Sequence, residues 1–290
     1  MINLENEKNI FIGCDADFES ASAVIFGAPF DSTTSFRPGT RFGSSFMRRE
    51  SFGIETYSPY QDKDLTDNKI FDSGDIELCF GSPERALADI EERTTEILSA
   101  DKLPIMLGGE HLVTLGAVRA VQKKYPDLYL IQFDAHADLR DDYLGQKLSH
   151  ACVMRRCYEL VGEKHIYQFG IRSGEREEFL FAKAHTNMHP IGLEPLDLNI
   201  IKNTAEELTG KNVYLTIDLD VLDPADFPGT GTPEAGGARF ADLMKAVLAL
   251  KDLNIVGVDL NELSPHYDPS GRSTALACKL LREILLMVCK

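Results

Sequence analysis

Short runs of apolar residues, most of them closing on Gly, Asp or Pro, recur along the whole of this 290-residue chain. They cover residues 23–27, 69–71, 104–107, 128–133, 166–169, 188–191, 213–217 and 255–258. Within each run the apolar character is nearly continuous rather than alternating, as a strand buried on both faces requires, and strands of that kind belong to parallel sheets. Between the runs the period lengthens. Residues 83–100 carry Ala, Leu and Ile at three- and four-residue spacing, and 115–124, 151–160, 175–184, 240–250 and 273–288 read as helices in the same way. Alternating strand and helix predicts an α/β fold with a parallel sheet. Ligands of such sheets gather beyond the carboxyl ends of the strands, and several of these runs end in polar clusters.

No internal repeat, low-complexity segment or Gly/Ser/Pro-rich linker divides the chain, so residues 1–290 are expected to form a single domain. A composition of 43% hydrophobic and 26% charged residues is that of a globular protein. No apolar run approaches the roughly 20 residues of a membrane span, and the opening MINLENEKN is too acidic and polar for a secretory signal. The cytoplasm is therefore the expected compartment. Cys14, Cys79, Cys152, Cys157, Cys278 and Cys289 form no CxxC pair or zinc-like spacing, which suits free thiols. The formal net charge of −16 argues against a nucleic-acid partner, which would need clustered Lys and Arg. It is compatible with attraction of a cationic substrate.

The chemistry is concentrated in three motifs. Asp134-Ala135-His136-Ala137-Asp138 directly follows the apolar run LYLIQF. In extended chain alternate side chains share a face, so Asp134, His136 and Asp138 are expected to project together, a carboxylate–imidazole–carboxylate set suited to a divalent metal. Alone, the motif also fits an acidic strand cap with a hydrogen-bonded His. Asp218 and Asp220, in TIDLDVLDP, repeat the alternate spacing, and two such neighbours repel without a cation between them, unless both are solvated in a loop. Gly108-Gly109-Glu110-His111 allows a sharp turn that leaves His111 near a helix start. Together the motifs offer four aspartates and two histidines, enough for two metals sharing bridging carboxylates. A donor set rich in carboxylate and free of thiolate favours an oxygen-preferring ion such as Mn²⁺, while zinc, nickel and cobalt stay open on intrinsic affinity.

DAHAD, TIDLDVLDP and GGEH resemble the three metal-binding motifs of the ureohydrolase family, which contains arginases and agmatinases. The resemblance runs from GAPFDSTTSFRPGTRFG through GTGTPEAGG and VDLNELSP to the C-terminal helix, nearly the whole chain. It implies an α/β fold with an eight-stranded, mainly parallel sheet flanked by helices, and a homo-oligomer, trimeric or hexameric. It further implies two Mn(II) per chain, one held by His111, Asp134, Asp138 and Asp218 and the other by Asp134, His136, Asp218 and Asp220. Glu262, in NELSP, matches the carboxylate that orients the substrate guanidinium, and His150, in LSHA, matches the proposed proton shuttle. Thr232 matches a position near the substrate, although Gly-Thr-Pro is also simply good turn chemistry. Glu110 stands where many relatives have Asp.

The activity implied is hydrolysis of a guanidino compound to urea and an amine. Two divalent cations about 3.5–4 Å apart can share a water and ionise it near neutral pH, and the resulting hydroxide would attack the guanidinium carbon. Asp138 is placed to accept a hydrogen bond from it. The leaving amine must be protonated, by His150 or by way of Asp138. Substrate choice rests on the loop 139–149, LRDDYLGQKLS, which lacks the Asn-containing pattern with which arginases grip an α-carboxylate and α-amine. Agmatine is therefore expected first, with 4-guanidinobutyrate and arginine as alternatives. Asp141 and Asp142 could attract a distal ammonium; Arg140 and Lys147 could instead hold a carboxylate. From other classes, a deacetylase of the same fold would call for adjacent His residues, which are absent, and a noncatalytic metal-binding subunit would carry the same ligands without turnover.

Overall fold

In the computed structural model, residues 9–79, 81–189 and 195–289 are described. Eight strands form the central sheet: β1 (Ala23–Gly27), β2 (Ile70–Asp75), β3 (Leu103–Leu107), β4 (Leu128–Phe133), β5 (Ile166–Phe169), β6 (Asn187–His189), β7 (Asn212–Asp218) and β8 (Asn254–Asn261). Their order is β2-β1-β3-β8-β7-β4-β5-β6, with every pairing parallel. The expected eight-stranded α/β architecture is thus present. The strand expected at 188–191 begins one residue earlier, and its positions 190 and 191 lie outside the described residues.

Among the described residues, eight α-helices surround the sheet: α1 (Gly43–Glu50), α2 (Pro83–Ser99), α3 (Thr114–Lys124), α4 (Val153–Val161), α5 (Arg176–His185), α6 (Leu198–Glu207), α7 (Phe240–Leu248) and α8 (Arg272–Val288). Side chains that alternate along a strand feed two separate cores. Ala23 and Ile25 of β1 join Met47, Ile201, Leu243 and Leu281 from α1, α6, α7 and α8, whereas Val24 and Phe26 join Ile90, Val118, Met154 and Ala182 from α2 to α5. Each fully buried Leu, Ile or Phe contributes roughly 1.5–3 kcal/mol of apolar transfer, so the two-sided core explains why the strands read as unbroken apolar runs.

Helices α1 and α6 were not expected. Helix α6 carried a legible start, since Asp197 caps it by accepting from the Asn199 and Ile200 N–H groups. Helix α1 is short, and its Arg48 is fully buried, with its guanidinium on Asp72 at 2.8 Å and also on Asp75. That pairing explains why β2 runs on past its apolar start through Asp72 and Asp75, residues that look like the end of a strand.

The four strands whose ends carry the polar motifs, β3, β8, β7 and β4, are consecutive neighbours in the centre of the sheet. Registers Leu107↔Leu260, Asn261↔Asp218 and Phe133↔Ile217 bring their carboxyl ends level. The turn after β3 passes so close to the β1 loop that a Cβ on Gly109 would lie 2.0 Å from the Phe30 carbonyl oxygen. Overpacking of this kind typically destabilises by about 1–3 kcal/mol. Gly109→Ala should therefore lower the urea midpoint measurably at unchanged m-value, and an unchanged midpoint would contradict this close approach.

Candidate metal centre and active-site pocket

Asp134 is the first residue after β4, where the chain leaves the sheet. The DAHAD motif, expected as extended chain with alternate side chains on one face, is not pleated. The segment is irregular: the His136 N–H turns back to Asp134 Oδ1 (2.6 Å) and Asp138 adopts a left-handed φ of 54°. Likewise Asp218 is the last residue of β7, and Leu219–Val221 form a 3-10 turn in which the Asp220 N–H donates to Asp218 Oδ1 (2.8 Å). In both motifs a carboxylate closes a local turn over its own backbone. The two-residue spacing therefore works through turn geometry and not through the pleat.

These turns nevertheless bring the six side chains together. His111 Nδ1 lies 2.9 Å from Asp134 Oδ2, 3.0 Å from Asp138 Oδ2 and 3.5 Å from Asp218 Oδ2. Its Nε2 is 2.8 Å from Thr216 Oγ1, a contact that fixes the ring with Nδ1 toward the carboxylates. His136 Nδ1 lies 3.0 Å from Asp220 Oδ2 and 3.6 Å from Asp134 Oδ1. Asp134 thus turns one oxygen to each imidazole. Two groups of potential ligands result, His111–Asp134–Asp218 and Asp134–His136–Asp220, each with donor atoms within 4.8 Å of one another.

The electrostatics call for positive charge. Burial would depress the His111 and His136 pKa values, but the facing aspartates overcome it and hold both well above their ordinary value. Burial, reinforced by neighbouring acids, drives Asp218 well up, and burial with the Asp134 charge raises Asp138 to about 7. Four buried carboxylates against two imidazoles leave an excess of negative charge that divalent cations would neutralise. The donor set, oxygen with imidazole and no thiolate, fits such ions.

Supporting residues escaped the sequence reading. Gln132 Nε2 donates to Asp134 Oδ2 (2.6 Å), Gln168 donates to Gln132 Oε1 (2.7 Å), and Thr186 donates to Gln168 Oε1 (2.9 Å). This buried chain leads inward from the sheet edge to Asp134. Its signal was a Gln interrupting each of two otherwise apolar runs.

A cavity of about 260 Å³ opens over the cluster, lined by His111, His136, Asp138, Asp218 and by the remaining expected residues His150, Thr232 and Glu262. Thr232 Oγ1 lies 3.4 Å from Asp220 Oδ2. Glu262 has a left-handed φ of 66° and is tied to the GGEH turn, its N–H donating to the Gly109 carbonyl (2.9 Å) and its Oε1 accepting from the His111 N–H (2.8 Å). Burial drives its carboxyl well up, with neighbouring Glu110 and Asp220 adding to the shift. His150 places Nδ1 3.0 Å from the Thr33 carbonyl and Nε2 3.2 Å from Ser35 Oγ. Burial lowers its pKa to about 4, against the pull of the Thr33 carbonyl.

The charged residues of the loop 139–149 are placed as follows at the mouth of the cavity. Arg140 is paired with Glu175 (3.2 Å) and Glu178 (3.4 Å) and lies over the Tyr143 ring. Asp141 is bonded to Arg156 (2.8 Å), Asp142 caps the Gly145 N–H (3.1 Å), and Lys147 is exposed outside the lining. Of the four charged loop residues only Arg140 lines the site, and it is already matched by two acids. Ser35, Tyr143, Glu175 and Glu178 are lining residues that the sequence reading did not identify.

Residues 21–287 match the model of the arginase family, and the chain belongs to that family; it is a hydrolase of carbon–nitrogen bonds. It is 48% identical over 279 residues to the agmatinase of Bacillus subtilis (strain 168), covering 96% of this chain and 95% of that one. Among solved structures, a putative agmatinase from Clostridium difficile superposes with a TM-score of 0.90 at 50% identity, over 94% of this chain and 99% of that one. The agmatine ureohydrolase of Thermoplasma volcanium gives a TM-score of 0.86 at 36% identity, over 97% and 94% of the two chains. Among the described residues no helix is long and apolar enough to cross a membrane.

Proposed function

We propose that the protein hydrolyses agmatine to putrescine and urea with a pair of Mn²⁺ ions. The observation that carries this reading is the convergence of His111, His136 and four aspartates beneath a cavity that also presents Glu262 and His150. His111, Asp134, Asp138 and Asp218 would hold one ion, and Asp134, His136, Asp218 and Asp220 the other. Similarity over nearly the full length to the agmatinase of B. subtilis and the agmatine ureohydrolase of T. volcanium supports the substrate. By the same likeness we read residues 1–290 as one domain that assembles into a homo-oligomer, trimeric or hexameric.

When bound, such an ion pair acidifies water and polarises the group under attack. The chain's own residues do the rest. Glu262 meets the guanidinium and sets the carbon over the cluster. A charge partner of this kind is matched to a cation, so neutral amides gain nothing from it. Asp138, which lines the cavity beside His111, accepts a hydrogen bond and a proton from the attacking water. His150 is a neutral imidazole at pH 7, so it can protonate the leaving amine only with a proton it has first received. Water supplies OH to the guanidinium carbon and H to the amine, and the C–N bond to the departing chain breaks. Thr232, hydrogen-bonded to Asp220, borders the substrate side of the cluster.

Substrate selection follows from the mouth. A grip on an α-carboxylate needs a cation with unspent charge, and Arg140 is held by Glu175 and Glu178. Two acids against one arginine suit the ammonium tail of agmatine. They disfavour 4-guanidinobutyrate and arginine, whose carboxylates would be buried without partners.

Metal analysis of Mn²⁺-loaded protein should find two ions per chain, and Asp134→Ala or Asp218→Ala should lose both because each is assigned to bridge; full occupancy in either variant would sink the assignment. Glu262→Gln should keep both ions yet lose about 10²–10³-fold in turnover; near-normal urea release by a metal-replete variant refutes its role. The kcat/KM for agmatine should exceed that for arginine by at least about 10²-fold, and Arg140→Ala should not reverse the order. Arginine ahead of agmatine in the parent protein would show that a cation of the loop grips the carboxylate after all.

A further inference from the structure

Glu110 is a fully buried acid that belongs to neither ligand group and does not line the cavity. Its carboxylate faces the loop after β1. Oε1 accepts from the Thr33 hydroxyl (2.5 Å) and Oε2 from the Thr33 N–H (3.0 Å). The Thr34 hydroxyl is within reach of Oε2 (3.0 Å) and of the Asp31 carbonyl (2.9 Å). The same loop makes three contacts to His150, which Ser149 Oγ (3.4 Å from Nδ1) and the Tyr143 ring also approach. Thr33 Oγ1 accepts from the His150 N–H (3.2 Å), the Thr33 carbonyl faces Nδ1 (3.0 Å), and Ser35 Oγ faces Nε2 (3.2 Å).

These contacts dictate a tautomer. A carbonyl oxygen only accepts, so Nδ1 must carry the proton, and in the neutral ring Nε2 is then left as an acceptor beside Ser35 and the cavity. We infer that Glu110 is a positioning residue, one that clamps Thr33–Ser35 so that His150 is presented to the reacting atoms in its Nδ1–H form. Thr33 is the joint of the device: its hydroxyl donates to Glu110 and accepts from His150, and its carbonyl selects the tautomer. Glu110 therefore acts on His150 through the hydrogen bonds of Thr33, apart from the charge it adds beside Glu262. The motif residue just before a ligand histidine is thereby given a task separate from metal binding. The inference rests on the role proposed for His150.

A double-mutant cycle separates this role from a merely structural one. Misplacing a reacting group by about 1 Å can lower a rate by roughly 10²-fold, so Glu110→Gln should reduce kcat by about 10- to 100-fold at full metal content, with KM for agmatine changed less than about threefold. In a His150→Asn background the same substitution should change kcat by less than about twofold. An equal loss in both backgrounds overturns the inference. If Glu110→Gln does not fold, Thr33→Val removes the joint while preserving the loop's shape and is held to the same comparison. If His150→Asn turns over normally, the role of His150 is what fails. The crystal structure of Glu110→Gln then decides the positioning claim: His150 swung away from the Thr33 carbonyl upholds it, and an unmoved ring overturns it.

Discussion

Acid crowding at four adjacent strand ends is the constraint to which the rest of the molecule answers. Asp134, Asp138, Asp218 and Asp220 converge on His111 and His136 where water is nearly excluded, with Glu262 beside them. Isolated buried carboxylates are expensive in such surroundings, and neutralisation by partners or cations is the ordinary relief. The level registers of β3, β8, β7 and β4 place the acids together, and the two cores on either side of the sheet keep those strand ends from moving apart.

A second tier of polar groups holds the cluster in shape. Thr216 turns the His111 ring, the Gln132–Gln168–Thr186 chain steadies Asp134, and the GGEH turn anchors Glu262 through backbone contacts at both ends. Groups of this kind set ligand orientation and basicity as much as the ligands do. Glu110, acting through Thr33, holds His150 much as Thr216 holds His111. At the mouth, the pairing of Arg140 with Glu175 and Glu178 leaves little positive charge to receive a carboxylate.

Much of this was legible in the amino-acid order. Strands buried on both faces announce themselves as unbroken apolar runs, and the ligand-type residues stand directly after three of them, so the sheet and the metal-type side chains followed from pattern alone. The local geometry did not. Asp134–Asp138 looks like extended chain, yet its backbone hydrogen bonds to its own carboxylate and turns through a left-handed Asp138. Helix α1 was hidden because its buried face includes Arg48, whose charge is matched only by Asp72 and Asp75 from a distant strand. The state of Arg140 was equally out of reach, since it depends on acids 35 and 38 positions away. Pairing across such distances is a tertiary fact with no local periodicity to betray it.

Anomalous diffraction from crystals equilibrated with Mn²⁺ tests most directly whether the six side chains hold two ions that share Asp134 and Asp218, as proposed. Two manganese peaks per chain about 3.5–4 Å apart are expected, one bounded by His111 and Asp138, the other by His136 and Asp220, with Asp134 and Asp218 touching both. A single peak, or two peaks with no ligand in common, would contradict the proposal.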